Sequence, residues 1–275
     1  MNRTVGRSAA CDPPCARAGF SFLSLTRPSY ISRGKHLHTL VQACEDSTVV
    51  LFSLAKPTMG TSAVELGSGY GSGARYLAVN FGATVECIDL SPEANDINRR
   101  LTEDAGLSNL VKVGAPATYF GTALPAESYG FCFSQDALCH AGKQTPRALK
   151  EAARLLTPGG ILACSNILRT EDATEEELDE VLVRIQLSYM ETLESFVEHA
   201  REAGLELVES LDKTTSMAMH FQALLEVADA RKDDMLQNTS PEYVAELSED
   251  LLKWYTASNR GILRWAFFVF RKRTP

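Results

Sequence analysis

Short apolar runs alternate with helical patterns of apolar and polar residues between about residue 60 and residue 168. Five of these runs have the length and residue types of buried strands: Ala63–Leu66, Thr84–Asp89, Val111–Val113, Tyr129–Phe133 and Gly160–Ser165. The stretches between them predict three helices: Ala74–Asn80, Ser91–Glu103 and Arg147–Leu156. Strands that alternate with helices in this way predict an α/β fold with a doubly wound parallel sheet.

Longer amphipathic helices replace this alternation after residue 168. Thr174 and Glu177 form a capping-box pattern, so the acidic run over 171–180 is expected to be the solvated start of a helix. Further helices are predicted over Thr192–Ala203, Ala218–Leu236 and Pro241–Thr256, and two more strands over Leu205–Leu211 and Ile262–Arg271. The prediction is therefore a seven-stranded sheet, with a helical cap in the C-terminal half at about 171–203 and 214–258.

Charge is distributed unevenly along the chain. Residues 1–40 hold six basic residues and one acid, whereas the whole chain of 275 residues has a formal net charge of -8. Because the first segment is also rich in Ser and Arg and broken by prolines, we expect either a disordered basic tail or an organellar transit peptide. The predicted location is the cytoplasm, or a mitochondrion or plastid if residues 1–40 act as a transit peptide.

The acidic balance and the lack of a long apolar run restrict the partners. An acidic body offers no basic surface for nucleic acid, and no run approaches the roughly 20 apolar residues of a membrane-spanning helix. Cysteine and histidine pairs lack the second pair that a zinc site needs, so no metal ligands are predicted. These features favour a small-molecule partner, without nucleic acid or membrane, and the sequence gives no indication of oligomeric state.

A glycine-rich turn follows the first predicted strand. Gly67, Gly69 and Gly71 are separated by single residues and lead into a helix. Position 72 is Ser, so the spacing departs from the G-x-G-x-x-G pattern of dinucleotide sites and suits a ligand without a pyrophosphate. We expect glycine at these positions because a side chain there would occupy the space of the ligand.

An acid stands at the end of the second predicted strand. Asp89 lies 22 residues after Gly67, a position where a carboxylate can accept hydrogen bonds from both hydroxyls of a ribose. The alternative for Asp89 is the N-cap of the helix that follows. Together, the two features predict a nucleoside ligand at the carboxyl ends of the strands.

Glu65, the glycine turn and Asp89 resemble motif I and the following acidic motif of class I S-adenosylmethionine-dependent methyltransferases, over roughly residues 60–275. The resemblance implies a Rossmann-like seven-stranded methyltransferase domain over 61–275 and S-adenosyl-L-methionine as cofactor. After the third strand, Ala115 stands where many members have an acid, so the resemblance implies backbone contacts to the adenine. The implied cofactor-binding residues are Glu65, Gly67, Ser68, Gly69, Gly71, Asp89, Leu90, Ala115 and Gln135.

The segment after the fourth strand is similar to that of a narrower group. Ser134-Gln-Asp-Ala-Leu-Cys-His140 and the later stretch from Glu151 to Gly160 resemble the sarcosine/dimethylglycine N-methyltransferases and the related phosphoethanolamine N-methyltransferases. The resemblance implies that Asp136 attracts a cationic nitrogen and that His140 accepts or relays a proton. The alternatives are a helix N-cap for Asp136 and a packed histidine for His140.

Two further residues are weaker candidates for contact with the substrate. His220 lies in a late helical segment, and Trp265 can offer a ring face to a methylated ammonium, although both residue types are also common in cores. Residues 41–60 form a divergent cap segment that departs from the N-terminal lid of the relatives. Two alternatives therefore stay open: a sulfur or oxygen methyltransferase, and a cofactor-binding protein with weak catalysis.

Overall fold

The computed structural model describes residues 35–183, 187 and 189–274. They form a seven-stranded mixed sheet with the strand order β3-β2-β1-β4-β5-β7-β6. The strands are β1 (Ser62–Leu66), β2 (Thr84–Ile88), β3 (Val111–Val113), β4 (Tyr129–Gln135), β5 (Leu156–Arg169), β6 (Leu205–Asp212) and β7 (Leu263–Lys272). The neighbouring pairs from β3 to β5 are parallel, and β7 pairs antiparallel with both β5 and β6. The predicted doubly wound α/β sheet is confirmed.

The described helices are α1 (Lys35–Ala55), α2 (Ser72–Phe81), α3 (Pro92–Asp104), α4 (Thr145–Leu155), α5 (Glu175–Leu182), α6 (Leu193–Glu202), α7 (Thr214–Ala230), α8 (Lys232–Leu236) and α9 (Pro241–Asn259). Helix α5 has the predicted capping box, in which Thr174 and Glu177 each bond the backbone of the other. Within the described ranges, no helix is both long and apolar enough to span a lipid bilayer.

Three apolar clusters hold these layers together. One face of the sheet packs on α4 and α6, and the other face packs on α1 and α2. A third cluster joins α5, α7 and α9 around the buried side chain of Trp254. The cap thus has its own core, which meets the sheet through residues such as Ile167 and Leu263 near the carboxyl end of β5.

Helix α6 is part of the layer that covers the sheet, although it falls in the predicted cap segment 171–203. Phe196 of α6 is fully buried and lies with its ring 5.1 Å from that of Phe268 on β7. Ala200, one turn later, is buried in the same cluster. The amphipathic pattern of α6 is that of any helix with one buried face, so the pattern alone did not distinguish a cap helix from a sheet-covering helix.

Two other boundaries differ from the predicted ones. Helix α1 is continuous from Lys35 to Ala55 and crosses the boundary that we set at residue 40, while residues 1–34 lie outside the described part. The helix predicted over Ala218–Leu236 is divided at Arg231, whose φ of -111° ends α7 before the short α8 begins. No glycine or proline marks this break, so the sequence carried no local signal for it.

Candidate functional site

The direction in which successive strands are added to the sheet changes between the adjacent strands β1 and β4. Strands β2 and β3 follow on one side of β1, and β5 lies on the far side of β4, so the order of the strands reverses at this point. In open α/β sheets, ligands bind in the crevice at such a reversal, beyond the carboxyl ends of the strands. The predicted residues Gly67, Asp89, Ala115 and Asp136 all follow strands at this edge.

The glycine turn is shaped by contacts within the protein. Gly67 and Gly71 have left-handed φ angles of 74° and 73°. A Cβ at Gly67 would overlap the Cβ of Ala137, and a Cβ at Gly71 would overlap the side-chain amide of Asn98. The protein itself therefore fills the space that a side chain at either glycine would need, and contact of these glycines with a ligand stays a prediction.

Asp89 organises the turn from the neighbouring strand. Its Oδ2 accepts a hydrogen bond of 2.7 Å from the Gly69 backbone N–H, and its Oδ1 accepts one of 2.9 Å from the Ser91 backbone N–H. The N-cap of α3 is Ser91, whose hydroxyl accepts from Ala94, so the N-cap alternative for Asp89 is wrong. Each carboxylate oxygen keeps a second lone pair with which to accept a hydrogen bond from a ribose hydroxyl.

Glu65 is a buried acid at the end of β1. Its Oε2 has no hydrogen-bond partner among the described residues, and the Ser68 hydroxyl is also buried without one. Burial raises the pKa of Glu65 well above its usual range, against the lowering effect of the Arg75 charge and a backbone N–H. An unpaired buried carboxylate oxygen is costly unless a ligand pairs with it.

These observations fit the implied cofactor. Glu65 and Ser68 have unsatisfied polar atoms beside the glycine turn, and a carboxylate is suited to the amino group of S-adenosylmethionine. Beyond Asp89, the apolar side chain of Leu90 is 46% exposed, and Ala115 is exposed after β3. That Leu90 and Ala115 contact the adenine stays a prediction.

Asp136 directly follows β4 and has a left-handed φ of 51°. Its Oδ1 accepts a hydrogen bond of 2.8 Å from Nε1 of Trp265, and its backbone N–H donates to the Ser165 hydroxyl at 3.1 Å. Burial raises the pKa of the carboxyl group, while the Trp265 and Ser165 hydrogen bonds lower it. The short helix that follows has Ala137 as its N-cap, so the N-cap alternative for Asp136 is wrong.

His140 lies in the 3₁₀ helix Leu138–Gln144 and is exposed. Desolvation by the surrounding protein lowers the pKa of the imidazole, against the raising effect of the Asp89 charge. Asp136 precedes this helix in a left-handed conformation, so the two residues do not lie on one helical face.

Gln135 connects the sheet to helix α1. Its Nε2 donates a hydrogen bond of 3.1 Å to the hydroxyl of Thr48, which is buried on α1. A Cβ at Gly73 would lie 2.9 Å from Oε1 of Gln135 and 2.8 Å from Oε1 of Glu65, so both side chains pack against the start of α2. Gln135 therefore links α1 to the end of β4, and its contact with the cofactor stays a prediction.

We expect Thr48→Val to loosen α1. The substitution keeps the volume but removes the hydroxyl, and an unpaired buried amide costs about 1–3 kcal/mol in the free energy of unfolding. Hydrogen exchange should become faster in α1 and stay unchanged in β5. Thr48→Ser keeps the hydroxyl and is the control; equal exchange rates in the two variants would contradict the role of this hydrogen bond.

The two weaker candidates have different surroundings. His220 is half-buried on α7, its ring lies 5.8 Å from that of Phe221, and burial lowers its pKa to about 4. Trp265 is half-buried on β7, with its ring edge-on to Phe267 at 5.1 Å. The structure gives Trp265 a polar contact in the site, through Asp136, that the sequence did not indicate.

The chain is similar to several known methyltransferases. Residues 64–164 match the family model described as a methyltransferase domain. The sarcosine/dimethylglycine N-methyltransferase of Aphanothece halophytica is 30% identical over 213 residues, which cover 78% of this chain and 76% of the relative. Phosphoethanolamine N-methyltransferase 1 of Zea mays is 27% identical over 218 residues, which cover 78% of this chain and 42% of the relative.

Solved structures agree with this relationship. A structure from Galdieria sulphuraria, provisionally identified as a sarcosine dimethylglycine methyltransferase, is 26% identical with a TM-score of 0.73 and covers 86% of this chain and 84% of its own. The [4+2]-cyclase SpnF has a TM-score of 0.74 at 19% identity, with 85% and 82% covered, and this likeness shows the fold alone. From the sheet, the glycine turn and these relatives together, we conclude that the chain is an S-adenosylmethionine-dependent methyltransferase and belongs to the family of the sarcosine/dimethylglycine N-methyltransferases.

Proposed function

We propose that this protein transfers a methyl group from S-adenosylmethionine to the nitrogen of a small amine or amino acid such as sarcosine or dimethylglycine. The observation that carries the proposal is the position of Asp136, a carboxylate held next to the glycine turn. Ala137, the following residue, packs where a side chain at Gly67 would stand. An acid at this place attracts a cationic nitrogen toward the cofactor site.

The chemistry requires an aligned, deprotonated nitrogen. When bound, the cofactor supplies an electrophilic methyl carbon on a sulfonium, so the new C–N bond forms as the C–S bond breaks. Most small aliphatic amines are protonated at pH 7, and the proton must leave before the lone pair is free. In this proposal, Asp136 binds and orients the ammonium group, and His140 accepts the proton and passes it to solvent. The exposed position and lowered pKa of His140 suit a neutral acceptor.

An acceptor panel tests the proposal. Purified protein is titrated with S-adenosylmethionine by calorimetry, and products are then identified by mass spectrometry with glycine, sarcosine, dimethylglycine, phosphoethanolamine and thioether acids. We expect cofactor binding and an N-methylated product. Methylation of a thioether alone would identify a sulfur methyltransferase, and binding without any product would support the weakly catalytic alternative; either result contradicts the proposal.

His140→Asn is expected to lower turnover by about 100-fold at pH 7, the usual contribution of a general base. Because a substrate amine loses its own proton as the pH rises, the variant should recover activity with increasing pH, whereas the wild type should depend less on pH over the same range. The pH profile of kcat/KM checks this. His199→Asn on α6 is the control, and a loss at His140 that does not recover with pH would contradict the proton-acceptor role.

We further propose that the protein acts in the cytoplasm, with a mitochondrion or plastid as the alternative if residues 1–40 act as a transit peptide. The basic, acid-poor composition of that segment supports the alternative. Fluorescent fusions of the full chain and of a chain starting after residue 40 distinguish the two: a change of location between them would identify a targeting signal.

A further inference from the structure

Trp265 joins the last strand of the sheet to the predicted catalytic carboxylate. Its Nε1–H donates to Oδ1 of Asp136 at 2.8 Å across a sequence separation of 129 residues. Trp265 is held through both its side chain and its backbone. The indole ring packs edge-on against Phe267, and the Trp265 backbone N–H donates to the Thr214 hydroxyl at 3.2 Å. The Lys213 backbone N–H donates to the Trp265 carbonyl at 2.7 Å, so α7 begins against this residue.

Among the residues that the structure describes, the other groups that interact with Asp136 are uncharged at pH 7. Ser165 from β5 is its second hydrogen-bonding side chain. The titratable groups that face it are thiols: Cys44 from α1, Cys139 from the 3₁₀ helix and Cys164 from β5. Burial raises the pKa of Cys44 to about 11 and that of Cys139 to about 12, and it raises that of Cys164 further, so all three stay neutral at pH 7.

No basic side chain forms an ion pair with Asp136 in the part of the chain that the structure describes. An arginine or lysine partner would hold the carboxylate in place but would cancel its charge. An indole N–H fixes the direction of one oxygen and leaves the negative charge available. The carboxylate is therefore positioned by neutral donors, and its charge is free to pair with a ligand.

We propose that Trp265 is the positioning residue of the methyl-acceptor site, and that its hydrogen bond holds Asp136 as an uncompensated carboxylate that selects acceptors with a cationic nitrogen. This proposal rests on the proposed function. It attributes the preference for a positively charged substrate to the hydrogen bond between Trp265 and Asp136. It gives Trp265 a different role from the ring-face contact considered from the sequence. The indole acts on the substrate through Asp136.

Nuclear magnetic resonance tests the contact without substrate or turnover. The chain has two tryptophans, Trp254 and Trp265, so a ¹⁵N-labelled sample gives two indole N–H signals, which Trp254→Phe and Trp265→Phe assign. We expect the Trp265 signal to move with pH as Asp136 titrates, and to stay fixed over that range in Asp136→Asn. A Trp265 signal that ignores pH, or that still moves in Asp136→Asn, would overturn the proposal.

Kinetics test the consequence for the substrate. Trp265→Phe keeps an aromatic ring but removes the donor, so we expect kcat/KM for the amine to fall about tenfold, the factor that a hydrogen bond to a charged group contributes. The acid limb of the kcat/KM profile should move to higher pH, because a carboxylate without this donor is protonated more easily. Cofactor affinity should change less than twofold.

Trp254→Phe is the matched control, since this tryptophan is buried in the cap and packs against Phe221 at 5.2 Å. It should lower the melting temperature and leave the acid limb in place. If Trp265→Phe also changes only the melting temperature, Trp265 is structural and the proposal is wrong. If the wild type methylates no amine, the proposed function fails, while the indole titration still decides whether Trp265 holds the carboxylate.

Discussion

Asp136→Asn is expected to reduce turnover by about 100-fold or more, because it removes the negative charge that the proposed mechanism places beside the cationic nitrogen. The substitution keeps the size of the side chain, and the amide oxygen of Asn can still accept the Trp265 N–H. Cofactor binding should persist, since Glu65 lies on β1 and Asp89 directly follows β2. Steady-state kinetics with the best acceptor of the panel, together with calorimetry of cofactor binding, measure both quantities.

The same variant should be more stable than the wild type at pH 7. Burial raises the pKa of Asp136 above its ordinary value of 3.8, so the folded protein binds this proton more tightly than the unfolded chain. The free energy of unfolding therefore falls as the pH rises from the unfolded pKa through the folded one. Asn cannot ionise, so Asp136→Asn removes this fall in the free energy of unfolding. Thermal unfolding of both proteins at pH 4 and pH 7 measures the difference, which should be larger at pH 7.

Asp104→Asn is the matched control for this experiment. Asp104 is an exposed acid at the end of α3, so turnover should not change. If Asp136→Asn keeps wild-type turnover, Asp136 is not the residue that receives the amine. A variant that loses turnover and cofactor binding together would show that Asp136 maintains the site as a whole.

Gly67→Ala is expected to destabilise the fold and weaken cofactor binding. The left-handed backbone at this position costs an L-residue about 1–2 kcal/mol. The new methyl group would also overlap the Cβ of Ala137, and overpacking of this kind costs about 1–3 kcal/mol more. Relief of the overlap must move either the glycine turn or the segment that carries Asp136, so cofactor affinity and turnover should fall together.

Gly82→Ala separates the cost of the left-handed backbone from the cost of the overlap with Ala137. Gly82 also has a left-handed φ, of 62°, but apart from its neighbours in the chain no described residue has an atom within 4 Å of the position that a Cβ would take. This variant should therefore show the backbone cost alone and keep wild-type cofactor affinity. Equal losses of stability in both variants, measured by denaturant unfolding, would mean that the contact with Ala137 carries no cost.

The elements that depend on local pattern could be predicted from the sequence. All seven predicted strands are present, although β5 begins four residues earlier and ends four residues later than predicted. The capping box of Thr174 and Glu177 also forms, because alternation and capping act over a few residues. The glycine turn and Asp89 could also be predicted, because each stands at the end of a predicted strand. Their place in the fold follows once β1 and β2 are parallel neighbours.

The rest of the site depends on contacts that no local pattern specifies. Helix α1 was missed because no acid marks its first turn. The pairing of Trp265 with Asp136 joins strands that are not neighbours in the sheet. The spacing of the glycines was visible, but the packing of Ala137 and Asn98 that requires them was not.

Strand β7 follows β6 in the chain but lies between β5 and β6 in the sheet. During synthesis, β5 and β6 leave the ribosome before β7, and each has an unpaired edge until the strand at Leu263–Lys272 inserts between them. The two edges are therefore open to other chains while α7, α8 and α9 are being made. Because Trp265 arrives on that same strand, Asp136 gains its indole partner only with the final insertion, and nascent chains lack a complete acceptor site.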